Sequence, residues 1–212
     1  MRFLVRIACT VGLGIAALSP ALGDATQYAD LGRGRMPVAP AYNDPSFAAA
    51  ALYAHNVERR LVGVPDLAWS NDLAAEADRW AKVLAAHEVM QHDTQRVHGE
   101  NLWMNTADRR TIGSMIGGWS IEKNIYIVGS RHPEVSRTGH WKDVGHYTQM
   151  VWHKTTKVGC AVARGRQHDF LVCRYDPIGN WRGEMAYMPR NMTTAAANVG
   201  GVTKASYITS DR

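Results

Sequence analysis

The 212-residue chain is predicted to form an α/β domain, on three observations. Apolar residues recur at helical spacing between residues 46 and 124, the pattern of amphipathic helices. Two apolar, β-prone runs follow, 158–163 and 170–175, separated by Arg164-Gly165-Arg166-Gln167-His168-Asp169, which is a hairpin signal. Each run carries one cysteine, Cys160 and Cys173, at near-opposite positions on the paired strands.

Taken in order, the chain opens with Arg2 and Arg6, then an almost wholly apolar or small stretch from Ile7 to Leu18, then Ala21-x-Gly23. That sequence of features makes residues 1–23 an expected signal peptide. The apolar run is about a dozen residues, against the ~20 a membrane-spanning helix needs. Residues 24–45 hold Gly, Pro, Ala, Asp and Tyr without periodicity and read as an N-terminal arm. The domain covers 46–188. Ser46 is placed to cap a helix through Val62, which Gly63-Val64-Pro65 ends. A second helix runs from Asn71 to Glu88, with Leu73, Ala77, Trp80, Ala81 and Leu84 as its apolar stripe. A third covers Asp108 to Asn124, with Ile112, Met115, Ile116 and Trp119 inward and Glu122 beside that stripe. Residues 125–143 form a long loop. Tyr147 to Trp152 fits either a short buried helix or a strand. After the hairpin a last strand is expected over Glu184–Met188, and the polar, small-residue segment 189–212 is expected to be a disordered tail.

Composition narrows the function. The full chain has 24 basic and 19 acidic residues, an excess of +5, which falls to +3 once Arg2 and Arg6 leave with the signal. The positive residues form no block, so nucleic acid is not an expected partner. No later segment is apolar enough to span a bilayer. Of three cysteines, Cys9 leaves with the signal, and the remaining pair, Cys160 and Cys173, is expected to be a disulfide in an oxidising compartment. The motifs HExxH, GxSxG and GxxxxGKS/T are absent, as is GxGxxG leading into a helix. The common zincin, α/β-hydrolase, nucleotide-hydrolase and dinucleotide signatures are therefore missing.

What remains for chemistry is His92, Glu100, Glu122 and His146. A carboxylate that accepts from one imidazole nitrogen fixes the tautomer and aims the other nitrogen at a ligand. Two such pairs in one groove would hold a divalent ion weakly and leave positions for water. Ordinary surface or core histidines are the alternative, since nine histidines are scattered along the chain.

Gly145-His146-Tyr147-Thr148-Gln149-Met150-Val151-Trp152 with Thr155, and Phe170-Leu171-Val172-Cys173-Arg174-Tyr175-Asp176-Pro177-Ile178-Gly179-Asn180-Trp181, resemble the two signatures of the CAP superfamily. Its members are cysteine-rich secretory proteins, antigen 5 and plant pathogenesis-related proteins. Gly99-Glu100-Asn101-Leu102 and His55-Asn56-x-x-Arg59 resemble two shorter motifs of the same family. The resemblance implies an α-β-α sandwich with a mostly antiparallel central sheet. It also implies a groove holding His92, Glu100, Glu122 and His146, with His92 and His146 as metal ligands. His87 and His98 lie near the position given to His92.

Three readings follow from the resemblance. The first is a secreted protein, extracellular or periplasmic, that binds sterol, fatty acid or another lipid and, weakly, a divalent cation such as Zn2+. The second is a metal-dependent hydrolase, for which no catalytic nucleophile stands out. The third is an extracellular interaction or defence-signalling module. Sterol-binding relatives are thought to use the loop before the Gly-His-Tyr-Thr-Gln helix, here residues 124–141, whose only aromatics are Tyr126 and Trp141. The chain is expected to be a monomer.

Overall fold

The computed structural model describes residues 44–188 apart from 96, 108 and 109. The expected signal peptide, the tail and nearly all of the arm lie outside the described residues. Asp44, and not Ser46, caps the first helix, α1 (Pro45–Val62): its carboxylate accepts from the Ser46 N–H at 2.8 Å. Pro45 fills the first helical turn, where a missing N–H costs nothing. Gly63, at φ 78°, ends the helix by turning its N–H back onto the Arg59 and Arg60 carbonyls.

Strand β1 (Ala68–Trp69) leads to α2 (Asn71–His87), whose cap Ser70 accepts from the Leu73 N–H. Glu88 is the left-handed C-cap, at φ 52°, and not the last helical residue. Strand β2 (Gly99–Thr106) follows, unannounced by periodicity because polar residues interrupt its alternation. Helix α3 (Ile112–Ser120) is shorter than its apolar stripe suggests and ends in a 3-10 turn over Ile121–Asn124. A second 3-10 turn (Trp141–Val144) runs into α4 (Gly145–Met150), which settles the helix-or-strand ambiguity at Tyr147 as helix. Strands β3 (Lys157–Arg164) and β4 (His168–Asp176) form the hairpin.

The sheet order is β1-β3-β4-β2; β1 runs parallel to β3 and the other pairs are antiparallel. Cys160 and Cys173 are register partners and form a disulfide. Side chains alternate between two cores, as strand geometry requires. Val158, Cys160, Val162, Leu171, Cys173 and Tyr175 face the α1, α3 and α4 layer. Ala161, Ala163, Phe170 and Val172 face α2, which presents Ala77, Ala81, Leu84 and Ala85. Helices therefore cover both faces, as an α-β-α sandwich. Alanines let α2 lie close to the sheet, and the approach is tightest at Gly159, where a Cβ would run into the backbone of Ser70, Leu73 and Ala74.

The expected strand over Glu184–Met188 does not form. That segment bonds piecemeal to two loops: the Glu184 carbonyl accepts from His132 N–H, and the Ala186 carbonyl from His153 N–H. With partners on different loops, no ladder can start. The long loop is likewise tied down, with Ile127 N–H on the Val135 carbonyl and Arg137 N–H on the Ile125 carbonyl, each at 2.8 Å.

Candidate functional site

Two histidine–glutamate pairs stand at one end of the sheet, each built from a different side. His146 lies in the first turn of α4, and its Nδ1 is 2.6 Å from Glu122 Oε1 in the 3-10 turn after α3. The other Glu122 oxygen accepts from the Tyr147 N–H at 2.9 Å, so one carboxylate holds both the ring and the helix that carries it. Trp119 stacks on the His146 ring, with centroids 5.8 Å apart and planes 12° from parallel. Asn101 donates to the His146 carbonyl at 3.0 Å and to the Tyr175 hydroxyl at 3.1 Å.

His92 sits on an irregular segment before β2, with 58% of its side chain exposed. Its Nδ1 is 2.5 Å from Glu100 Oε1, and the same oxygen accepts from the Asp93 N–H at 3.2 Å. In both pairs the Nδ1 faces the carboxylate, which leaves Nε2 as the nitrogen with a lone pair to offer. A groove of about 540 Å3 is lined by His92, Glu100, His146, Trp141 and Asn180, among others; Glu122 stands behind His146. His98 also reaches this groove, with its Nε2 3.4 Å from Glu76, while His87 is exposed on α2 away from the groove lining. Among the described residues no three His, Cys, Asp or Glu side chains converge to enclose a metal ion. The described residues therefore form no closed structural metal site.

His55 is a core residue. It is fully buried, its Nδ1–H donates to the Ala51 carbonyl at 2.8 Å, and the Tyr175 hydroxyl donates to its Nε2 at 2.8 Å. Burial, reinforced by the nearby Arg59 charge, depresses its pKa to about 4 against the opposing Ala51 bond.

A second cavity, of about 710 Å3, lies between α1 and α3. Its walls are largely apolar or small, with Phe47, Ala54 and Val57 on α1 and Ile112, Gly113 and Gly117 on α3, while Asp44, Glu58, Lys123 and Asn124 add polar groups. A Cβ added at Gly113 or Gly117 would meet no atom within 4 Å, so the glycines open the space themselves. Lys123 borders it and donates to both oxygens of the nearly buried Glu58, at 2.9 and 3.0 Å. Sequence reasoning passed over this cavity. Its signal was the four-residue spacing of Ala50 with Ala54 and of Gly113 with Gly117, which keeps two helix faces bare.

The two loop aromatics are placed differently from each other: Tyr126 is in the core and Trp141 is exposed on the histidine groove. Tyr126 is 2% exposed and packs on Tyr147 and Tyr187, and burial raises its pKa. Trp141 packs edge-on against His132, with centroids 4.8 Å apart.

Residues 52–175 match the family described as "CAP: Cysteine-rich secretory protein family". The chain is 37% identical over 137 residues to pathogenesis-related protein 1A of Nicotiana tabacum, covering 64% of this chain and 78% of that one. It is 33% identical over 129 residues to venom allergen 5 of Vespa velutina, covering 57% and 61%. Among solved structures, NaASP2 with Zn2+ superposes with a TM-score of 0.59 at 26% identity, over 69% of this chain and 87% of that chain. No helix among the described residues is long and apolar enough to cross a membrane.

Proposed function

The chain belongs to the CAP family of cysteine-rich secretory proteins, a match that covers more than half its length, and from that premise we propose that it is an exported binding protein for a fatty acid. The observation that carries this reading is the apolar cavity between α1 and α3. Its volume of about 710 Å3 is within the roughly 300–1,000 Å3 typical of small-ligand sites. Two helices with small residues facing each other leave a slot suited to one acyl chain. Lys123 has three donors, of which Glu58 takes two, leaving one for an anionic head group at the rim. The fatty acid is favoured over a sterol because Tyr126 is committed to the core, which leaves Trp141, on the other groove, as the loop's one accessible aromatic.

The test is a titration of delipidated mature protein with a fluorescent polyene fatty acid, followed by competition. Palmitate should displace the probe and cholesterol should not. Displacement by cholesterol alone would move the ligand to the sterol class; no probe binding at all would sink the lipid reading.

A second reading rests on a separate observation. Both groove histidines turn Nδ1 to a carboxylate, which supports weak binding of a divalent ion through the Nε2 atoms of His92 and His146. Imidazole favours zinc over magnesium or calcium, and a relative 26% identical has been crystallised with Zn2+. When bound, such an ion would supply Lewis acidity to a groove ligand. Calorimetric titration with zinc should show one site, lost in His146→Ala and retained in His55→Gln.

A further inference from the structure

The two histidines of the groove are not held alike. His146 is fixed by its helix, by Glu122 and by the stacked Trp119 ring. His92 has none of these supports. It projects from irregular chain, more than half exposed, and yet lies 2.5 Å from Glu100. Something must hold both the backbone it leaves and the carboxylate it meets.

Arg174 is the group in contact with both. It follows Cys173 on β4 and is the register partner of Glu100 on β2, so the two side chains leave the same sheet face, the one that α2 covers. Arg174 Nη1 is 3.2 Å from Glu100 Oε2, and Nη2 donates to Asp93 Oδ2 at 2.7 Å. Asp93 immediately follows His92 in the chain. The side chains of Arg174 and Glu100 are 5% and 7% exposed. The other Asp93 oxygen accepts from the Gln95 N–H at 3.0 Å.

We propose that Arg174 is the positioning residue of the groove: one guanidinium spans Glu100 and Asp93, so that the carboxylate facing His92 and the backbone carrying His92 are fixed by the same group. A planar fork with five donors can bridge two carboxylates, whereas an ammonium group meets them only as a point charge. Arg174, 3.2 Å from Glu100 Oε2, holds that oxygen on its own side and leaves Oε1 facing His92 Nδ1, which commits His92 to the Nδ1–H tautomer and leaves its Nε2 free. This deepens the metal reading and rests on it only where zinc is measured.

The deciding experiment reads the His92 ring in the metal-free protein, by long-range 1H–15N NMR at a pH where imidazoles are neutral. The wild-type chain should show one tautomer, protonated at Nδ1. R174M should show a mixture of tautomers, E100Q should also show a mixture, and R174M/E100Q should add little to E100Q, because the first change acts through the second. Zinc affinity should fall roughly 10- to 100-fold in R174M, while the His146 ring signals stay in place. Should R174M not fold, R174K decides: its ammonium leaves one carboxylate without a forked partner, and a smaller tautomer mixture is expected. An unchanged His92 spectrum in a folded R174M or R174K, with only thermal stability lowered, would overturn the proposal and make Arg174 a packing residue. If wild-type protein binds no zinc, the metal reading fails, and the tautomer measurement still decides the role of Arg174.

Discussion

At the scale of the residue, burial acts strongly on His55 and Arg59. In unfolded chain His55 titrates near 6.5, and burial lowers this to about 4. Between those values the unfolded chain binds a proton that the native chain excludes. Stability is therefore fully present above pH 6.5 and is lost as pH falls toward 4, by about 3 kcal/mol in all. Acid unfolding of His55→Gln should be flatter over that window by most of this amount; His132, also lowered by burial, adds the same slope to both proteins. An unchanged slope would place the acid sensitivity elsewhere. Arg59 is 1% exposed and has carbonyls as hydrogen-bond acceptors: Pro65 from Nε, Met150 and Trp152 from Nη1, and Thr155 from Nη2, at 2.6 to 3.0 Å. Burial lowers its pKa to about 10, which leaves it charged at neutral pH. Arg59→Met would strip four carbonyl acceptors, three of them in buried bonds, of one donor group and should cost about 3 kcal/mol or more in denaturant unfolding. A loss within 0.5 kcal/mol would mean that the carbonyls find other partners.

At the scale of the element, the fold depends on how closely α2 approaches β3 and how its end is tied to the hairpin. Gly159→Ala must push the start of α2 off the sheet, because the contacting atoms are backbone and cannot rotate away. The expected cost is about 1–3 kcal/mol, with a fall in thermal midpoint as the readout; an unchanged midpoint would show that the layer can slide. At the far end, Glu88 accepts from the Gln167 N–H at 2.8 Å and meets His168 Nδ1 at 2.7 Å, fastening the β3–β4 turn to the helix. The disulfide adds a staple across the same two strands. Cys160→Ala/Cys173→Ala should lose about 3 kcal/mol on the chain-entropy argument, read by urea unfolding, and a protein as stable as wild type would contradict it. These elements were unevenly legible. The helices announced themselves through stripes such as Leu73, Ala77, Ala81 and Leu84, and the hairpin through two apolar runs around a polar turn. β2 did not, since Asn101, Asn105 and Thr106 break the alternation. The expected last strand failed because Glu184 and Ala186 bond to separate loops, a tertiary fact that no local pattern carries.

At the scale of the molecule there are two kinds of space: a groove lined mostly by polar residues at the end of the sheet and a largely apolar slot between α1 and α3. The motif residues of the groove could be read from the chain, but what orients them could not. Arg174 is a charge inside an apolar β run, which signals a buried partner without naming Glu100 or Asp93. The slot left only a faint signal, for a different reason: it is made by missing side chains, Gly113 and Gly117 against Ala50 and Ala54, and only the packing of two helices turns absence into volume. Filling that volume tests the central claim most directly. Fatty-acid affinity should be measured by probe displacement on delipidated wild type, Gly117→Leu and His146→Ala. Gly117→Leu should weaken binding about 10- to 100-fold, the equivalent of about 1–3 kcal/mol of overpacking, while His146→Ala should bind as wild type does. Equal affinity in Gly117→Leu and wild type, or loss of binding in His146→Ala alone, would contradict it.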